Sequence, residues 1–224
     1  MCDDILCSPG SFERPVIHEE CMKKVTLIGG NICMRCGKQL DDEESEYCMD
    51  CTRKNFVYKR GVAAFAYSDV MKKSMYAFKY NNRREYAGFY SGVLWKNFGQ
   101  TIKSWNAQAL VPVPLHKSRQ RKRGYNQAQV LAQKLSEYTG IPVDAGVLFR
   151  IKSTVPQKTL TDRDRFNNIE NAFQIGPQGV KYNCIILVDD IYTTGATINE
   201  CASVLISAGA KNVYFVAACI GRGF

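Results

Sequence analysis

The chain has 224 residues, with 30 lysines and arginines against 21 aspartates and glutamates, for a net charge of +9. That length holds one α/β domain plus a small module, and no apolar run approaches the roughly 20 residues needed to cross a bilayer. The first residues carry acids and cysteines and do not read as a secretory leader, so we expect a cytoplasmic chain without membrane insertion, whose ten cysteines suit metal ligands more than disulfides. A basic balance suits phosphate-rich ligands or nucleic acid without choosing between them.

Cys2, Cys7, His18 and Cys21 come first along the chain. The Cys2-x4-Cys7 spacing is loose for a metal knuckle, while His18-x2-Cys21 has knuckle spacing. The four residues form either a second zinc site or a metal-free remnant. Next come Cys33-x2-Cys36 and Cys48-x2-Cys51, eleven residues apart, the spacing of a tetrahedral four-cysteine zinc site. Gly37 gives the first pair the freedom of a tight turn. Four sulfurs leave no position for water, so this zinc would be structural. The composition changes after Lys54, and we place a zinc-ribbon module at 1–58 and a second domain at 59–224.

Val62 to Tyr67 reads as a strand, and Ser68 or Asp69 caps a helix running to about Tyr80. A longer helix carries Tyr86, Phe89, Tyr90, Val93, Leu94 and Phe98 on or near one face. Such a stripe can be a base-stacking platform, but helical spacing favours core. Ala109 to Pro114 is a short strand with an extended exit. After His116, five cations fall between Lys117 and Arg123. Their mutual repulsion argues against a helix or strand before a counter-anion arrives. A mobile loop closing over phosphates fits, because Arg forks and Lys point charges both suit phosphate oxygens; a solvated basic turn is the alternative. A helix from Asn126 to Tyr138 stops at Gly140 and Pro142, and Val143 to Ile151 reads as a strand. Beyond it lie Gln157, Leu160, Arg163, Arg165 and Asn168, with Thr161-x2-Asp164 similar to a capping box.

Ile185 to Val188 reads as a buried strand, with Asp189 and Asp190 where it would leave the sheet. Thr193, Thr194, Gly195, Ala196 and Thr197 form a loop, and a helical pattern (Ile198, Cys201, Ala202, Leu205, Ile206) ends at Gly209. Backbone N–H groups, a helix N-terminus and threonine hydroxyls suit the phosphate of a phosphorylated sugar. The two carboxylates can accept from its hydroxyls or help to hold magnesium. Val213 to Ile220 is the last strand, and Cys184, Cys201 and Cys219 are core thiols. Strands alternating with helices predict an α/β fold, a parallel sheet with helices on both faces and ligands at the strands' carboxyl ends.

The Asp189-to-Thr197 block resembles the signature of type I phosphoribosyltransferases, which bind 5-phosphoribosyl-1-pyrophosphate (PRPP). Together with VPVPLHKSRQRKRGYNQAQ and QKTLTDRDRFNNIENAF, it makes essentially the whole chain similar to the bacterial ComF (competence protein F) family, close to its ComFC members. The departure is at the front, where the family commonly has two CxxC pairs and this chain has C-x4-C and HxxC ahead of its own two. The resemblance implies a phosphoribosyltransferase fold in which Asp189 and Asp190 hold the ribose of a PRPP–Mg2+ complex. Thr193 to Thr197 would cradle its 5′-phosphate, and Arg119, Lys122 and Arg123 would meet its pyrophosphate. His116 either assists there or is a surface histidine. The family also implies a role in natural transformation and DNA uptake, with single-stranded DNA and a competence helicase as partners, at the inner face of the membrane if recruited. It supplies no acceptor, so enzymatic turnover stays open. The alternative is a non-catalytic adaptor with a relic pocket, binding single-stranded DNA through the basic loop and through Tyr58 and Tyr125.

Overall fold

In a computed structural model that describes residues 19–152 and 169–221, thirteen elements follow one another. They are α1 (Glu19–Met22), α2 (Met49–Arg53), β1 (Gly61–Ala66), α3 (Asp69–Tyr80), α4 (Tyr86–Ser104), β2 (Ala109–Pro112), α5 (Lys117–Arg123), α6 (Gln127–Thr139), β3 (Leu148–Arg150), β4 (Phe173–Ile175), β5 (Cys184–Tyr192), α7 (Ala196–Ser207) and β6 (Asn212–Ile220). Four strands form one parallel sheet in the order β1, β6, β5, β2. The short β3 and β4 make a separate antiparallel pair. This is the expected α/β class.

The sheet is central because its sequence leaves no wet face: every residue from Cys184 to Val188 is buried. Helices α4 and α6 pack on each other and on the sheet, while α7 packs against β5 and β6. Ser68 caps α3, its hydroxyl accepting from the Met71 N–H, and α3 buries Met71, Met75 and Phe78. Tyr86, Tyr90, Leu94 and Phe98 of α4 are buried, with Phe89 and Val93 packed against them. That stripe is core and no base platform. Asn126 caps α6 through the Ala128 N–H at 3.0 Å, and Gly140 ends it at φ +72°.

Three expectations need correction. The basic segment Lys117–Arg123 is a helix and not a loop. His116 accepts from the Ser118 N–H at its start, and Gly124, at φ +82°, closes its end. A cap contributes about 1 kcal/mol and cations in the last turn gain from the helix dipole, whereas each solvated like-charge pair costs only about 0.2–0.5 kcal/mol. The strand expected over 143–151 is confined to Leu148–Arg150. Val143 makes only an isolated parallel bridge to Leu110, and Asp144 then turns the chain by accepting from the Gly146 N–H. Last, β5 does not stop before the acids but continues through them to Tyr192.

The segment before β1 lies along that strand. Leu27 bridges Phe65, and backbone bonds join Ile28 to Ala64 and Ala66 to Thr26. One hydrophobic core runs from Cys33, Cys36 and Cys51 through Phe56 and Tyr58 into the sheet. Cys2, Cys7 and His18, and the stretch holding Gln157, Leu160, Thr161, Arg163, Asp164, Arg165 and Asn168, lie outside the described residues. Among those described, no helix is long and apolar enough to cross a membrane.

Candidate functional site

The sheet register sets the geometry around the two acids. On one side β5 pairs with β6 as far as Tyr192–Ile220; on the other, β2 stops at Pro112–Val188. Asp189 and Asp190 therefore sit just past the end of β2. Adjacent strand residues face opposite ways, and the two carboxylates have separate environments.

Asp190 faces α3, where its Oδ2 lies 2.6 Å from Lys79 Nζ. Burial works against the Lys79 ammonium, but Asp190 more than offsets it, and the pKa lies above the usual lysine value. Asp189 accepts from the Asp190 backbone N–H at 2.8 Å. Burial, with the Asp190 charge adding to it, pushes the Asp189 carboxyl up to about 8, against the weaker pull of Lys79 and Arg150. A pair that reads as one feature in sequence is thus divided into a carboxylate paired with Lys79 and a carboxyl whose pKa burial raises.

Asp189 shares a small recess with Ile191, Thr193, Gly195, Thr197 and Ile198. The strand end and the loop expected to form one site are brought together there. Gly195, at φ +83°, is the N-cap of α7 and gives it no side-chain cap. Its conformation and surroundings both require glycine, since a Cβ would lie 2.5 Å from the Tyr192 hydroxyl and 2.8 Å from the Phe56 ring. Thr194 is buried, and its Oγ1 has no hydrogen-bond partner among the described residues. An uncapped helix N-terminus beside an orphaned hydroxyl can hold an anion.

The basic residues divide as well. Arg119 lowers the proton affinity of Arg150, second to burial, which puts it near the Asp189 side. The Arg123 guanidinium lies 4.9 Å from the Tyr80 ring centroid and its charge reaches Lys79. Lys122 is exposed. Tyr58 and Tyr125, expected to meet bases, are buried at 1% and 7% exposure, with their hydroxyls on Tyr192 and the Phe78 carbonyl. That expectation is overturned.

In the front module, Cys33, Cys36, Cys48 and Cys51 bring their sulfurs within 4.8 Å of one another, Cys36 to Cys48 at 3.6 Å. Such a cluster can hold a metal ion and fits a zinc ribbon, where sulfurs at about 2.3 Å from one centre would be nearly this far apart. Backbone bonds from Gly37 to Cys33 and from Cys51 to Cys48 tighten both knuckles. Hydrogen bonding among the sulfurs, Cys36 first, pulls the Cys33 thiol below its usual range. Outside the ligands, Asp50 takes Lys38 at 2.5 Å and Lys54 at 2.9 Å. Cys21 is buried.

Sequence reasoning missed Lys79, Arg150, Phe56 and Asn199. Phe56 walls Gly195, and the Asn199 Oδ1 accepts from the Val57 N–H at 2.8 Å, fastening α7 to the module. Lys79 left one signal: it is in register with Met71 and Met75 at spacings of four, on the apolar side of α3.

No family model matches the chain. Competence protein F of Haemophilus influenzae is 30% identical over 186 residues, 81% of each protein. Competence protein ComFC of Bacillus subtilis is 29% identical over 196 residues, 84% of this chain and 77% of its own. DNA utilization protein YhgH of Escherichia coli K12 is 28% identical over 199 residues, 88% of this chain and 87% of its own. Identity of 30% across 81% of both lengths leads to one assignment: the chain belongs to the ComF (competence protein F) family.

Proposed function

We propose that this protein binds PRPP with magnesium and acts in DNA uptake or utilisation as a phosphoribosyltransferase-like protein. The observation that carries the reading is the recess in which Asp189 meets the Gly195 loop and the uncapped start of α7. The names of the relatives, competence proteins and DNA utilization proteins, favour the DNA context. Zinc is the metal we assign to Cys33, Cys36, Cys48 and Cys51. We keep 1–58 and 59–224 as the division of the chain.

In this reading the Thr194 hydroxyl and the N–H groups at the start of α7 receive the 5′-phosphate, satisfying groups that the protein leaves open. Asp189 and Asp190 orient the ribose hydroxyls. Magnesium, when bound with PRPP, offsets charge on its pyrophosphate. Arg119, Lys122 and Arg123 approach from α5 as preformed helix residues, not as a loop that orders late. If an acceptor attacks, a bond forms to the anomeric carbon while its bond to pyrophosphate breaks, through an oxocarbenium-like state. Single-stranded DNA is the macromolecular partner we assign, with a competence helicase as its neighbour in the uptake system.

The test is calorimetric titration of PRPP and magnesium into the wild type and into the Asp189→Asn/Asp190→Asn variant. We expect binding in the first and its loss in the second. A folded, metal-loaded wild type that takes up no PRPP would refute the ribosyl reading and leave a basic adaptor.

A further inference from the structure

Tyr47, Tyr138 and Phe149 are exposed singly, at 43% each, and the two most exposed rings share α3. Tyr76 and Tyr80 are 57% and 58% exposed, and they stand one helical turn apart with centroids at 4.9 Å and planes at 46°. Aromatic faces left in water at adjacent helix positions are available to planar partners, because every base presents a π-face.

The surroundings select the partner. The Arg123 guanidinium lies over the Tyr80 ring and joins the pair to the end of α5. Helix α5 carries Lys117, Arg119, Arg121, Lys122 and Arg123 with no acid among its residues. Lys117, Arg121 and Lys122 make no ion pair among the described residues. Lys73 precedes Tyr76 by one turn of the same helix. The nearby acids Asp69 and Glu85 are taken by Lys72 and Arg83. An acidic peptide would use the cations and leave both rings in water, while a duplex keeps its base faces stacked. A single strand presents phosphates and free base faces together.

We propose that Tyr76 and Tyr80, flanked by the cations of α5, form a stacking site for single-stranded nucleic acid. The proposal rests on the reading of this chain as a DNA-handling protein and gives that reading its contact surface. Lys79, next in sequence to Tyr80, turns inward to Asp190. One turn of α3 therefore serves the acid pair on its inner side and the strand on its outer side.

The test is fluorescence anisotropy of a labelled 20-nucleotide oligo(dT) with the full chain, over a salt series. The variants are Tyr76→Ala/Tyr80→Ala, Tyr76→Phe/Tyr80→Phe and Arg121→Ala/Lys122→Ala. Losing the rings should weaken binding by roughly tenfold or more, since base–aromatic stacking is worth about 5- to 150-fold per base. The salt dependence should not change, and the phenylalanine variant should stay within about threefold of the wild type. The α5 variant should flatten the log–log salt slope by about 1.4, from about 0.7 per cation lost. Wild-type binding with undiminished affinity in the alanine variant overturns the stacking site and leaves DNA handling standing. No wild-type binding at low salt overturns both. Duplex or polyglutamate bound as tightly as oligo(dT) also overturns the site, leaving charge alone. Should the alanine variant fail to fold, ultraviolet cross-linking of a 5-iodouracil oligonucleotide to the wild type decides. Adducts on α3 support the site, and adducts confined elsewhere refute it.

Discussion

Lys79 and Asp190 come from different elements, a helix end and a strand end, and meet at 2.6 Å with side chains 20% and 13% exposed. Removing one member of such a pair strands a poorly solvated charge. We expect Lys79→Met to lose roughly 2 kcal/mol in urea denaturation. Adding Asp190→Asn should recover much of the loss, because the stranded charge goes with it. A Lys79→Met protein as stable as the wild type would show that solvent already compensates Asp190.

Asp189 makes a prediction about pH. Its folded pKa is raised to about 8, chiefly by burial, while an unfolded aspartate titrates near 3.9. Between about pH 4 and 8 the folded chain keeps a proton that the unfolded chain has released, so this group's contribution to stability falls as pH rises. Asp189→Asn cannot titrate. The melting temperature of the variant minus that of the wild type should therefore grow from pH 5 to pH 8.5, and a flat difference would mean that the carboxyl is ionised throughout.

Gly195 tolerates no side chain. At φ +83°, with Tyr192 and Phe56 against the missing Cβ, Gly195→Ala should cost about 1–3 kcal/mol. PRPP uptake should fall with it. Calorimetry and thermal melts on the same sample check both, and normal values for each would mean that the loop relaxes freely.

Metal analysis of the purified protein should find zinc that is lost in Cys36→Ser together with at least about 3 kcal/mol of stability, since structural zinc binding is largely folding free energy. A second equivalent that disappears in His18→Ala would assign Cys2, Cys7, His18 and Cys21 as ligands. Two equivalents retained in that variant would remove His18 from any site.

What the sequence reveals here is whatever short-range pattern encodes. The apolar run Ile185 to Val188, the helix start at Ser68 or Asp69, the helix start near Asn126 and both CxxC pairs are local, and each stands where expected. The α5 helix was missed because repulsion was weighed without the His116 cap and the Gly124 stop. The tyrosines were misassigned because burial is a tertiary property: Tyr58 and Tyr125 are inside only because Tyr192 and Phe78 meet them there. The unlike environments of Asp189 and Asp190 depend on Lys79, more than a hundred residues away, and no spacing rule reaches that far.

Phe56 has a consequence for how this protein can be taken apart. It belongs to the stretch joining the cysteine knuckles to β1, yet its ring is the wall against which Gly195 turns, and the neighbouring Val57 amide is tied to Asn199. A fragment beginning at residue 59 would keep every residue assigned to PRPP and lose the surface that shapes their loop. The two parts are separable on paper only: exchanging the front module between relatives would have to carry Phe56, Tyr58, Tyr192 and Asn199 across as one inherited unit.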